Sequence, residues 1–123
     1  MIAGLGIDLV EVERIEHALA RWGPAFLARL MDPAEIAGLP AGPPASAVAD
    51  AVAVKEAVSK AIGTGWSSGV RWRDVVVSHG DRPAARLDGE ALAAARRLGS
   101  SGVTEVKIER PAGLVIATVR LLT

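Results

Sequence analysis

Cysteine and tyrosine are absent from the chain, phenylalanine occurs once, tryptophan three times, and lysine only three times against eleven arginines. Without cysteine there is no disulfide framework and no thiolate chemistry. With so few aromatic rings, a chain that is 50% hydrophobic must build its core from Ala, Val, Leu and Ile. Formal net charge is zero, which argues against a generic nucleic-acid binder, since such proteins neutralise phosphates with a basic excess. No apolar run reaches the roughly 20 residues of a membrane span. The first residues enter a strand pattern directly, with neither a basic stretch nor a cleavage site, so no signal peptide is expected. These absences predict a soluble cytoplasmic protein with neither nucleic acid nor membrane as partner. Its 123 residues suffice for a single domain over 1–123 and not for two. A subunit interface that completes the core would be unsurprising at this size.

The hydrophobic pattern divides the chain into short elements. Ile2 to Val10 reads as a buried strand, rich in Ile, Leu and Val with interspersed glycines. Glu11 to Arg21 places Val12, Ile15 and Leu19 on one helical face, Gly23-Pro24 ends it, and Ala25 to Met31 is a further helical stretch. Asp32-Pro33-Ala34-Glu35 has the form of an N-cap, a first-turn proline and a first-turn acid, and starts a brief helix. Gly38 to Ser46, with three prolines and two glycines, is expected to be a mobile loop. A long Ala/Val helix from about Ala47 to Ile62 follows, closed by Gly63-Thr64-Gly65. Asp74 to Ser78 and Ala84 to Leu87 read as a hairpin, Asp88 as the cap of a helix through Leu98, and Val103 to Glu109 with Leu114 to Leu122 as a closing hairpin. The expected order is β-α-α-α-β-β-α-β-β, an α+β domain in which a mainly antiparallel sheet packs on one long helix.

Two features carry chemistry. Glu56 and Lys60 lie four residues apart near the end of the long helix, so their side chains share a face. That spacing fits a solvated surface pair, worth a few tenths of a kcal/mol, as well as an acid and a base serving one site. Asp8 is the one charge in the apolar run Ile2 to Val10, where an unpaired carboxylate costs several kcal/mol. It can cap the helix beginning near Val12, or share a cation with another acid, as when an Asp and a Glu hold a magnesium ion that already carries a phosphate.

Gly6-Ile7-Asp8, Glu13-Arg14-Ile15, Phe26-Leu27-Ala28-Arg29, Glu35, the Lys55-Glu56-Ala57 to Gly65 run, Arg82-Pro83, Gly89-Glu90-Ala91-Leu92 and Ala117-Thr118-Val119 occur in an order and spacing that resembles the acyl-carrier-protein synthase group of phosphopantetheinyl transferases. The likeness covers nearly the whole chain. It implies the 4′-phosphopantetheinyl transferase fold and transfer of the phosphopantetheine arm of coenzyme A to a serine of an acyl carrier protein. By the same resemblance Asp8 and Glu56 hold Mg2+ on the coenzyme A diphosphate, and Glu56 and Lys60 act in catalysis. Lys60, Gly63, Thr64, Gly65, Arg82 and Pro83 are implied to face the coenzyme, and Arg14 and Arg29 to dock the acidic helix of the carrier protein. A homotrimer with active sites at subunit boundaries is implied as well, in fatty-acid or polyketide synthesis.

The chain departs from the family pattern twice. An Arg-Phe pair usually precedes the Lys-Glu-Ala run, where this chain has Ala51 and Val52. A His-Val-Ser or His-Val-Thr motif is usual near the C-terminus, where this chain has Glu105-Val106-Lys107, and its two histidines, His17 and His79, lie elsewhere. The departures leave room for a catalytically lapsed or repurposed member of the fold, one that binds a carrier protein, fills a structural place or acts on another ligand.

Overall fold

The computed structural model describes residues 1–41 and 45–123. The middle of the proline-rich loop expected over Gly38–Ser46 therefore lies outside the described residues. Along the chain come β1 (Ile2–Glu11), α1 (Val12–Trp22), α2 (Pro24–Leu30), α3 (Pro33–Ala37), α4 (Ala45–Ala61), a single 3-10 turn at Trp72–Asp74, β2 (Val75–Ser78), β3 (Ala84–Leu87), α5 (Gly89–Arg97), β4 (Thr104–Glu109) and β5 (Leu114–Leu122). Four helices, rather than the three of the expected order, precede β2. All four were expected segment by segment, the order alone counting one too few, and α3 starts as the sequence predicts: the Asp32 side chain accepts from the Glu35 N–H at 2.8 Å and Pro33 takes the first helical position.

β1, β5 and β4 form an antiparallel sheet in that order, and β2 with β3 a separate antiparallel hairpin. β5 is the central strand, and its inward residues Val115, Ala117, Val119 and Leu121 are fully buried. They pack under α4, which is enclosed on nearly every side: between Ala47 and Ala61 only Lys60 is exposed. A helix apolar all round belongs in a core, and α4 is the axis on which the sheet, α1 and β2 assemble. No helix among the described residues is long and apolar enough to cross a membrane.

β1 corrects one expectation. It is an edge strand rather than a buried one. From Gly4 on, past a register shift after Ile2, its even-numbered residues Gly4, Gly6, Asp8 and Val10 are the more buried ones, while Leu5, Ile7 and Leu9 face outward and remain about half exposed, at 55%, 53% and 52%.

Candidate active site

The site begins with two missing side chains. Gly4 and Gly6 lie on the α4-facing side of β1, and a Cβ on either would overlap helix backbone, at the Ala61 carbonyl oxygen for Gly4 and the Ala57 carbonyl oxygen for Gly6. α4 thus rests directly on strand backbone. Two residues on, with the strand's period of two, Asp8 is the next position on that face, and its carboxylate meets the last turns of α4. Lys60 Nζ donates to Asp8 Oδ1 at 2.7 Å and to the Ile7 carbonyl at 3.3 Å. The hydrogen bond to Asp8 raises the Lys60 pKa above its ordinary value. Asp8 does not cap α1; Glu11 occupies that N-cap position. Nor do Glu56 and Lys60 form the surface ion pair that their spacing allowed, because Lys60 turns to Asp8.

Glu56 sits beside them, half-buried. Burial pushes its carboxyl pKa up and the negative charge of Asp8 adds to the shift, while the Trp66 indole and the Lys60 charge pull the other way. Asp8, Arg14, Val52, Glu56, Lys60 and Trp72 line one cleft of about 520 Å3. Trp72 stacks on Trp66, with ring centroids 4.0 Å apart and planes inclined by 17°.

Beneath the cleft is an ion pair that sequence reasoning did not identify. Lys55 is fully buried and donates to Glu35 Oε1 at 3.0 Å, to the Trp72 carbonyl at 3.0 Å and to the Val75 carbonyl. The second Glu35 oxygen accepts from the Val77 N–H at 2.9 Å. Desolvation lowers the Lys55 pKa and Glu35 opposes it. The pair ties α4 to α3, the 3-10 turn and β2. Its sequence signal was a lysine set directly after the Ala/Val run Ala51-Val52-Ala53-Val54 of a helix expected to be buried on more than one side.

The remaining candidates lie around this centre. Arg29 and Phe26 line a depression that shares Trp72 with the cleft, so Arg14 and Arg29 flank the same region. Gly63, Thr64 and Gly65 form the turn after α4. The Gly63 N–H donates to the Lys60 carbonyl and the Gly65 N–H to the Ser59 carbonyl, each at 3.1 Å, and both glycines have positive φ. These are the bonds of a helix C-cap, and they occupy two N–H groups that phosphate contact would have used. Arg82 and Pro83 lie outside the cleft, in the turn between β2 and β3; Pro83 lines a cavity of about 320 Å3 with Asp50, His79 and Arg110. Of the two departures, Ala51 is buried in the core and Val52 gives the cleft an apolar wall. Glu105 is exposed on β4 and lies 4.0 Å from Arg120.

Residues 4–119 match the family model of the 4′-phosphopantetheinyl transferase superfamily. The chain belongs to this superfamily. It is 48% identical over 103 residues to the holo-[acyl-carrier-protein] synthase of Solidesulfovibrio magneticus, covering 82% of this chain and 83% of that one. With the synthase of Solibacter usitatus it shares 40% identity over 124 residues, covering 98% of each chain. The crystal structure of the holo-[acyl-carrier-protein] synthase of Neisseria meningitidis superposes with a TM-score of 0.84 at 31% identity over the full length of both. The Helicobacter pylori synthase in complex with coenzyme A gives 0.79 at 29% identity, over 95% of this chain and 98% of that one. The α+β fold is that of the superfamily.

The donor set fits a magnesium ion bound together with phosphate. Two carboxylates from separate elements meet at one cleft, and Asp8 already holds a cation, the Lys60 ammonium. No third acid or histidine joins them in a metal-binding cluster among the described residues. Magnesium in phosphate chemistry takes one or two protein carboxylates and completes its shell with phosphate and water.

Proposed function

We propose that this chain transfers the 4′-phosphopantetheine arm of coenzyme A to a serine of an apo acyl carrier protein, releasing adenosine 3′,5′-bisphosphate. The observation that carries this reading is the convergence of Asp8, Glu56 and Lys60 on one cleft from positions 52 residues apart in the chain, in a superfamily member whose relatives are holo-[acyl-carrier-protein] synthases.

In the reaction the serine oxygen forms a bond to the β-phosphorus of coenzyme A while the bridging oxygen leaves. Glu56 is suited to take the serine proton, because burial raises its affinity for a proton. Lys60, half exposed at the mouth of the cleft, places a positive charge where the leaving oxygen gains negative charge. Asp8 and Glu56 would hold magnesium, which when bound offsets the charge of the diphosphate. Arg14 and Arg29, on neighbouring helices beside the cleft, are suited to an acidic carrier-protein helix. We assign the reaction to the cytoplasm, since both substrates are soluble. We further read a homotrimer as the working form. Three is the number implied by the family resemblance, and the half-exposed Leu5, Ile7 and Leu9 on an edge strand supply an apolar face for a second copy.

The test is intact-mass spectrometry of an apo carrier protein incubated with this chain, coenzyme A and magnesium. A mass gain equal to the phosphopantetheine arm is expected with the native chain and absent with Asp8→Ala and Glu56→Ala. A second reading, a non-catalytic carrier-protein binder, is favoured by the apolar Ala51-Val52 pair and the outward Glu105. Carrier binding without mass gain would select it.

A further inference from the structure

The chain carries as many acids as bases, yet its positive charge is unevenly matched. Arg71, Arg86, Arg110 and Arg120 each lie within 4.0 Å of a carboxylate. Arg14, Arg29 and Arg73 are exposed and meet no acid among the described residues. Sequence reasoning singled out the first two of these three but not Arg73.

Arg73 sits in the 3-10 turn next to Trp72, and its guanidinium donates to the Ala28 carbonyl. Ala28 is the residue before Arg29, near the end of α2. The side chain thus reaches from the turn before β2 to the end of α2 and brings its charge beside Arg29. Trp72 links the three arginines. It lines the depression with Phe26 and Arg29 and the cleft with Arg14 and Glu56. No acid lines the depression. Unmatched guanidiniums from α1, α2 and the 3-10 turn therefore gather about one aromatic residue at the edge of the candidate active site.

Part of this arrangement serves the fold. Carbonyls in a last helical turn lack intrahelical partners, and an arginine there satisfies one and complements the negative end of the helix. That task uses one of the five guanidinium N–H groups and cancels none of the charge. Like charges brought together repel, a cost that an anionic partner relieves. The tether also orders the guanidinium before a partner arrives, so less side-chain freedom is lost on binding.

We propose that Arg73 is a third docking residue for the acidic helix of the carrier protein, extending the surface of Arg14 and Arg29 onto the 3-10 turn. Trp72 and Phe26 supply an apolar floor for that helix, and the three arginines supply charge at its margins. The inference rests on the proposed reading of the chain as a carrier-protein transferase. It adds the 3-10 turn to the elements that decide which carrier is accepted.

The test is calorimetric binding of an apo carrier protein to the full chain, without coenzyme A, at low and high salt. Arg73→Glu should weaken binding by about 10-fold or more at low salt, since like charges juxtaposed across an interface cost more than a lost contact. Arg73→Gln, which can still donate to the Ala28 carbonyl, should weaken it by about 2- to 5-fold, the scale of one exposed ion pair. Both losses should shrink at high salt. In steady-state transfer the effect of Arg73→Gln should fall on KM for the carrier protein, with kcat, KM for coenzyme A and Tm unchanged. Arg97→Glu on α5, which lines neither cleft nor depression, makes the same change in net charge as Arg73→Glu and should leave binding near native. Native binding by a folded Arg73→Glu variant, while Arg14→Ala or Arg29→Ala weakens it, would overturn the proposal and leave docking by those two arginines standing. Equal losses in Arg73→Glu and Arg97→Glu would overturn it too, by assigning the effect to net charge. Should Arg73→Glu fail to fold, Arg73→Gln decides. If the native chain binds no carrier protein at low salt, the carrier-protein reading itself fails, and this role for Arg73 with it.

Discussion

Lys55 and Lys60 leave the same helix little more than one turn apart and live in opposite worlds. Lys55 is wholly enclosed, gives its protons to one carboxylate and two backbone carbonyls, and joins four elements of the fold. Lys60 is half exposed and is held by one carboxylate and one long backbone contact. A buried pair cannot release a partner without stranding a charge in a poor solvent. An exposed pair is worth little and exchanges readily. On the proposed function, the chain thus has a structural lysine where it cannot move and a working lysine where a phosphate can compete for it. Identical chemistry is divided into two tasks by solvent access alone.

The largest expected effect comes from breaking the first of the two. Lys55→Met leaves Glu35 charged and unpaired in the core, and urea denaturation should register a loss of roughly 3–5 kcal/mol. The double variant Lys55→Met with Glu35→Met should recover much of that loss, since an apolar replacement for both members of a buried pair is often near neutral. Failure to recover would mean that the carbonyls of Trp72 and Val75 and the Val77 N–H depend on the pair more than the two charges depend on each other.

Lys60→Met sharpens the contrast. It should change stability by under about 1 kcal/mol while lowering kcat for phosphopantetheine transfer by about 100-fold or more, the scale seen when one group that stabilises transition-state charge is removed. A Lys60→Met variant that loses stability and keeps its activity would reverse the assignment of the two lysines.

The smallest effect concerns the acid between them. Because the folded state raises the Glu56 pKa through burial, the ionised carboxyl is a burden on the fold. That burden is absent below the ordinary glutamate pKa of about 4.3, grows as pH rises toward the elevated folded pKa, and is fully present above it. Glu56→Gln should therefore raise Tm slightly at neutral pH and lose the advantage near pH 4, in thermal scans at the two values. An equal rise at both would locate the gain in packing rather than ionisation.

Much of the fold could be read from local chemistry. The Asp32-Pro33 start, the glycine stop after α4 and the alternation in β5 each act within a few residues, and the elements form where those signals lie. The candidate site was only partly legible: Asp8, Glu56 and Lys60 stood out as charges in or beside apolar runs, and only the family resemblance joined them. Spacing paired Lys60 with Glu56, whereas the structure pairs it with Asp8 across 52 residues, a distance on which no periodicity reports. Gly4 and Gly6 read as interruptions of a strand; they are the gap into which α4 fits, and alternation of glycine with Leu5, Ile7 and Leu9 was the available trace. Lys55 and Glu35 looked like ordinary helix charges, because neither sequence neighbourhood records that the other half of the pair is its burial partner.

The alternation of β1 has a mechanical consequence. Asp8 lies between Ile7 and Leu9, so one short piece of backbone carries a site carboxylate on one side and two half-exposed apolar residues on the other. A strand cannot shift one face and leave its reverse still. Whatever clasps Ile7 and Leu9 from outside adds to the hold that β5 and Lys60 already have on Asp8. If that clasp is a second copy of the chain, dilution becomes an inhibitor, and the protein reads its own abundance through the pleat of a single strand.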